Sequence, residues 1–345
     1  MRDDTAGNAR APSHRHHRKG TTPLTRRLAI ACAATLALLA VAPPHTTVAR
    51  AALVPGTTCT LLPQDNVWHA DISALPLDPK SSVYMATALG PALKLHPDFG
   101  AYPYGMPVNV VPDSHQSGSV QFQYAGESDP GPYPVGSDLL VEGTPNDGGD
   151  DHVLSVDSGT CTLYEIWHAQ LATQPYTGGS GAVFPLGSDA LRPAGWTSAD
   201  AAGLPILPGL LSYDDVLSGH IDHAIRFTLL HTQNAFAWPA RHQAGTADPL
   251  VPPMGERFRL QASFDESGYS AQARAILEGM KHYGLILADN GSNWFFQGTQ
   301  DSRWPDSLIA ELKTVPAAAF EAVDESSLML DPNSGAARQC GGPCS

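Results

Sequence analysis

Leu285-Ile286-Leu287-Ala288-Asp289-Asn290-Gly291-Ser292-Asn293-Trp294-Phe295-Phe296 is the stretch on which the fold turns. Two apolar runs flank Asn290-Gly291, and an Asn-Gly pair supplies the positive φ angles of a two-residue hairpin turn. That turn predicts an antiparallel pair with Asp289 opposite Ser292, Leu287 opposite Trp294 and Leu285 opposite Phe296. Just before it, Ala273, Ile276, Leu277, Met280 and Tyr283 make a stripe at helical spacing, which Ser270 can cap and Gly284 can end.

Other segments alternate with the period of a strand. Val120, Phe122 and Tyr124 share one side, with Gln121 and Gln123 on the other; Phe258, Leu260, Ala262 and Phe264 alternate likewise with Arg257, Arg259, Gln261 and Ser263. His152–Val156 and Cys161–Trp167 flank the turn-forming Asp157-Ser158-Gly159-Thr160 and predict a second hairpin. Short helices are expected at Ser82–Leu89, Ser198–Ala202 and Ser307–Lys313. Thirty prolines and thirty-two glycines oppose long helices and favour short strands joined by turns. The expected fold is mainly β with a few helices, an antiparallel β-sandwich or jelly-roll-like double sheet.

The N-terminal segment reads as an export signal. Arg26-Arg27, the apolar run Leu28–Val41 and Ala49-Arg50-Ala51 are the basic leader, core and cleavage site of a signal peptide, and the core is too short to span a bilayer. Thr25-Arg26-Arg27-Leu28 also hints at twin-arginine export. The organisation expected is a signal peptide over 1–51, a single β-rich domain over 52–330 and a C-terminal tail over 331–345, secreted and without a membrane anchor after cleavage. Residues 1–51 hold 8 of the 20 Lys and Arg but only 2 of the 34 Asp and Glu, so the remainder carries a formal charge of −20. Such a surface repels phosphate backbones and anionic membranes, which disfavours nucleic acid as a partner. With Cys32 in the leader, four cysteines remain, and an oxidising compartment favours Cys59 with Cys161 and Cys340 with Cys344. The two other connectivities stay open.

Three ionisable residues sit at the ends of apolar strand faces. His152 is in phase with Leu154 and Val156, His223 with Ile225, Phe227 and Leu229, and Asp289 with Leu285 and Leu287. Partial desolvation at the rim of a core moves a pKa, which acid/base chemistry requires. Structural roles compete: a strand-end histidine often only hydrogen-bonds, and an aspartate before Asn-Gly often only holds a turn. Trp238-Pro239-Ala240-Arg241-His242 adds an indole that can stack on a sugar, a guanidinium that can hold a carboxylate and an imidazole that can exchange a proton. The competing reading leaves Trp238 on the core face of Phe236, with Arg241 and His242 as loop residues.

Metal chemistry is weakly signalled. His220-x-x-His223 chelates only on a helix, whereas the residues that follow favour a strand, and Asn146–Asp151 is carboxylate-rich without the ligand spacing of a calcium loop. No cofactor is expected, and calcium is only faintly indicated. There is no Gly-x-Ser-x-Gly elbow, nucleotide-binding glycine loop or His-Glu-x-x-His helix, which removes serine-hydrolase and dehydrogenase readings.

Leu191–Pro205, His223–Thr228, Trp238–His242 and Leu287–Ser292 carry a resemblance to a group of uncharacterised secreted bacterial proteins, over roughly Cys59 to Leu330. The resemblance implies export and transfers no activity. The residues themselves point to a secreted carbohydrate-active enzyme that cleaves glycosidic bonds of an external or cell-envelope polysaccharide, by hydrolysis or elimination. Asp289 with His152, His223 or His242 would be the acid/base pair, Arg241 would bind an anionic sugar group, and Trp238 with Trp294 would form the stacking floor. A noncatalytic sugar-binding or envelope-associated protein, and a metal-dependent hydrolase, are the alternatives.

Overall fold

Six strands form the larger sheet, in the order His96–Asp98, Phe295–Gln297, Ile225–Leu229, Leu285–Asn290, Arg257–Leu260 and Phe320–Val323. They come from a computed structural model that describes residues 53–86, 93–144 and 148–339. The leader, Cys32, Asn146, Asp147, Cys340 and Cys344 lie outside the described residues. A second sheet has four strands, in the order Val108–Val111, Val153–Asp157, Thr162–Trp167 and Ser180–Pro185. The protein is thus mainly β with two principal sheets, as its alternating segments indicate. The pairing is mixed: Ile225–Leu229 runs parallel to Leu285–Asn290, and Val108–Val111 parallel to Val153–Asp157, beside antiparallel neighbours.

The Asn-Gly segment does not close a hairpin. Ile225–Leu229 lies between Leu285–Asn290 and Phe295–Gln297 and pairs with both, so Leu287 faces Phe227 and Phe296 also faces Phe227 from the other side. The connecting loop wraps the end of the inserted strand, with Gly291 N donating to Leu229 O at 3.0 Å and Trp294 N to Thr228 O at 3.1 Å. A Cβ at Gly291 would meet Thr228 Oγ1 at 2.8 Å, so glycine serves this close approach. The positive φ of the stretch falls at Trp294 (59°). A tertiary strand buried on both faces has outcompeted the local turn, because it offers both flanking runs a buried partner.

The other expected hairpin forms, and the structure sets its register, with Val153 opposite Ile166 and Asp157 opposite Thr162. Helix Ala271–His282 is capped by Ser270, whose side chain accepts from Ala273 N, and is followed by Gly284 in the left-handed region (φ 68°). Its Ile276, Leu277 and Met280 are fully buried, each contributing about 1.5–3 kcal/mol of apolar burial. Helix Asp306–Leu312 forms where a short helix was expected and Ser81–Tyr84 covers the start of the one expected over Ser82–Leu89, of which 87–89 lie outside the described residues, whereas 198–202 is a turn. Of Val120–Tyr124 only Gln121–Phe122 is strand, paired with Thr177–Gly178. Arg257, expected on a solvent face, is buried and donates to the carbonyls of Tyr283, Val67 and Ala70, so that sheet is covered on both sides.

The Cys59–Cys161 disulfide is present. Residues 331–339, expected as the start of a tail, are fastened to the body: Val67 N donates to Gly335 O, Ala337 N to Asp65 O, and Ala337 is buried.

Candidate functional site

Arg226 lies on a strand whose two faces are both buried, opposite in phase to Ile225 and Phe227, so its guanidinium cannot reach water. It is matched by Asp200, which accepts from Nε at 2.9 Å and from Nη2 at 2.7 Å, and neither side chain is more than 2% exposed. Asp200 comes from a turn that ties the two sheets together. Ser180 Oγ donates to Ser198 O from the four-stranded sheet, Ala202 N donates to Ala288 O on the six-stranded one, and Ser198 Oγ accepts from Asp200 N.

The strand carrying Asp289 contributes a bulge. Phe227 pairs with Leu287, but the next residue, Thr228, pairs with Asp289, leaving Ala288 as the extra residue. The slip moves Asp289 off the face of Leu285 and Leu287 onto that of Arg226, whose Nη2 lies 4.0 Å from Asp289 Oδ2. This corrects the alternation expected for Asp289. Its carboxyl is hydrogen-bonded to that of Asp200, and burial together with Asp200 pushes it well above the usual carboxylate range, against the pull of Arg226.

More ionisable groups of the two sheets meet behind this pair. His152 Nδ1 lies 2.5 Å from Glu142 Oε2, and Nε2 is 3.1 Å from Ala199 O, so both ring nitrogens face acceptors. Burial alone would depress its pKa; Glu142 overrides this and holds it at about 9. Burial lifts Glu165 to about 7 although its carboxyl accepts from the backbone of Ile206 and Leu207. Burial, with Glu142 nearby, also raises Asp98. Glu142 and Asp200 thus stand directly against the two buried cations, His152 and Arg226, while burial makes Asp98, Glu165 and Asp289 harder to ionise.

Asp289 reaches solvent, its side chain 24% exposed. It opens into a hollow of about 400 Å³ lined also by Tyr124, Glu127, Asp150, Trp167, Asp200 and His242. Trp167 and Tyr124 form one wall with ring centroids 6.3 Å apart, and Trp167 Nε1 donates to Asp150 Oδ1 at 3.1 Å. His242 Nδ1 is 2.8 Å from Ala201 O, a bond that it makes as donor when neutral, which leaves Nε2 as an acceptor 3.6 Å from Glu127 Oε2.

Of the residues singled out in sequence, Asp289 and His242 therefore share this hollow and His152 supports it from behind. The others lie elsewhere. His223 is buried with Nε2 3.6 Å from Asp215, whose carboxylate raises its pKa against the effect of burial. Trp294 is fully buried against Phe227, Phe258 and Phe320, so it cannot serve as a stacking floor. The Arg241 guanidinium is spent on Arg192 O, Pro332 O and Asn333 Oδ1 and is not open to an anionic sugar. Trp238 donates to Ser334 O and lines a different hollow beside Glu256 and Glu325. His220 is exposed while its partner in the spacing, His223, is buried; among the described residues no group of three or more His, Cys, Asp or Glu is arranged to hold a metal ion.

Asp200, Trp167 and Glu127 are the site residues that pattern reading passed over. Arg226 was the available signal for Asp200, since a cation inside an apolar strand demands a buried carboxylate. No family model, curated protein or solved structure matches the chain, so the chemistry of the hollow is the basis for a functional reading.

Proposed function

We propose that this is a secreted glycoside hydrolase that cleaves an external or cell-envelope polysaccharide in the Asp289 hollow. The observation that carries this reading is the Asp289 carboxyl, held against Asp200 and facing solvent beside an aromatic wall. A carboxyl with a raised pKa holds its proton to higher pH than an ordinary carboxylate and can deliver it to a glycosidic oxygen as the C–O bond breaks. Water then adds to the sugar carbon and loses its proton to an acceptor. His242 Nε2 and Glu127 Oε2, two acceptors 3.6 Å apart in the same hollow, suit that role. Trp167 and Tyr124 would stack on sugar rings.

Hydrolysis is favoured over elimination, because elimination beside a uronate calls for a cation near its carboxylate. Arg226 is committed to Asp200 and His242 is turned towards Glu127. Export is supported by the Cys59–Cys161 disulfide, which belongs to oxidising compartments. No helix among the described residues is long and apolar enough to cross a membrane.

The test is a panel of polysaccharides assayed for both binding and reducing-end release. Release that disappears in Asp289→Asn supports the reading. Binding without release across the panel replaces it with a noncatalytic sugar-binding protein, and release that disappears on chelation and returns with one metal replaces it with a metal-dependent hydrolase.

A further inference from the structure

The hollow is unusual in its charge. Among the described residues that line it none is Lys or Arg, whereas Glu127, Asp150, Asp200 and Asp289 all contribute to its wall. Asp200 is paired with Arg226, and Asp289 lies half-buried between that pair and the solvent. That leaves Glu127, with His242 Nε2 3.6 Å away, and Asp150 as the carboxylates presented to a ligand. Both sit on the aromatic side: Glu127 follows Tyr124 within one 3-10 turn, its side chain 37% exposed, and Asp150 accepts from the Trp167 indole. A sugar ring stacked on Trp167 would place its equatorial substituents beside these carboxylates. A hydroxyl there gains a hydrogen bond, a carboxylate is repelled, and an ammonium gains both a hydrogen bond and charge pairing.

We infer that the substrate is a polysaccharide bearing free amino groups, a polymer of protonated amino sugars, with Glu127 and Asp150 selecting the ammonium. This rests on the glycoside-hydrolase reading of the same hollow and adds to it the class of sugar. The formal charge of −20 outside residues 1–51 works in the same direction, by drawing a polycation towards the surface.

The experiment compares three hexasaccharides by calorimetry in mildly acidic buffer, where a sugar amine is protonated: one of glucosamine, one of N-acetylglucosamine and one of galacturonic acid. The glucosamine hexamer is expected to bind about five- to tenfold more tightly than its acetylated counterpart, and the galacturonate hexamer weakest. The advantage should shrink as salt rises from about 20 mM to about 500 mM. It should also vanish in the double variant Glu127→Gln, Asp150→Asn, which keeps an acceptor for the Trp167 indole and for Thr197 N. Equal binding of the glucosamine and acetylated hexamers, or an advantage indifferent to salt, would overturn the inference while leaving the hydrolase reading standing. An advantage kept by a double variant with unchanged melting temperature would overturn the assignment to these two residues. Failure to bind any of the three would remove the sugar reading itself.

Discussion

Replacing Asp289 by asparagine separates the chemistry of the hollow from the stability of the fold. Asn290 N donates to Asp289 Oδ1 at 2.7 Å, an acceptor that asparagine keeps. Towards Asp200 the side-chain amide donates permanently, where the carboxyl does so only when protonated. Arg226 Nη2, 4.0 Å away, is beyond hydrogen-bond reach, so no bond to it is lost. Two ionised carboxylates about 4 Å apart repel by about 4 kcal/mol at an effective dielectric near 20. The guanidinium at 4.0 Å returns a similar amount. What remains is the cost of holding a charged group out of water, about 1–2 kcal/mol at this partly exposed position. Because the folded pKa of Asp289 is raised, its favourable contribution is complete below the unfolded carboxylate range and is lost as pH rises through the folded value. Asparagine suffers no such loss. Urea unfolding should therefore show Asp289→Asn level with the wild type at about pH 4 and more stable by about 1–2 kcal/mol at about pH 8. The hydrolytic rate should fall about a hundred- to ten-thousand-fold. A variant less stable at the higher pH, or a gain identical at both, would refute the raised proton affinity of Asp289.

Three further outcomes follow from the same geometry. His152, buried and paired with Glu142, has a raised pKa of about 9, so its contribution is complete below the unfolded histidine range and lost as pH rises through 9; His152→Gln should flatten a loss of about 2–3 kcal/mol between about pH 6.5 and 9.5 in unfolding titrations. Trp167→Ala should weaken oligosaccharide binding at a smaller stability cost than Trp294→Ala, which should lose about 3–5 kcal/mol, because the first indole packs partly buried at the edge of a core cluster and the second is fully buried; calorimetry and denaturation together distinguish the two. Replacing Cys59 and Cys161 by serine opens a link between residues 102 apart, with an expected loss of about 4 kcal/mol in denaturant unfolding.

The parts legible in the sequence were those governed by neighbours along the chain. The Ala271–His282 helix, with its cap and its stripe, depends on residues within four positions of one another, and the Val153–Trp167 hairpin on a short turn. The Asn-Gly hairpin misled for the complementary reason. Its turn chemistry is local, but Ile225–Leu229, some sixty residues upstream, supplies buried partners to both flanking runs and displaces the pairing that the turn favours. Pattern also singled out Asp289 while assigning it to the apolar face, since a one-residue bulge reverses every later side chain and leaves no mark in periodicity.

For the site, sequence composition alone established the acidic balance, and the cysteine count suggested the Cys59–Cys161 link. It also marked Asp289, His242 and His152 as ionisable groups in suspicious places. Only the tertiary structure decided that the Asp200 turn, anchored to both sheets, meets Arg226, that Trp167 and not Trp294 faces the hollow, and that Arg241 and His223 lie apart from it. The physical reason is that burial and charge pairing depend on distance through space. Asp200 and Asp289 are far apart in the chain, and Asp200 raises the proton affinity of Asp289 only because the fold brings their carboxyls together.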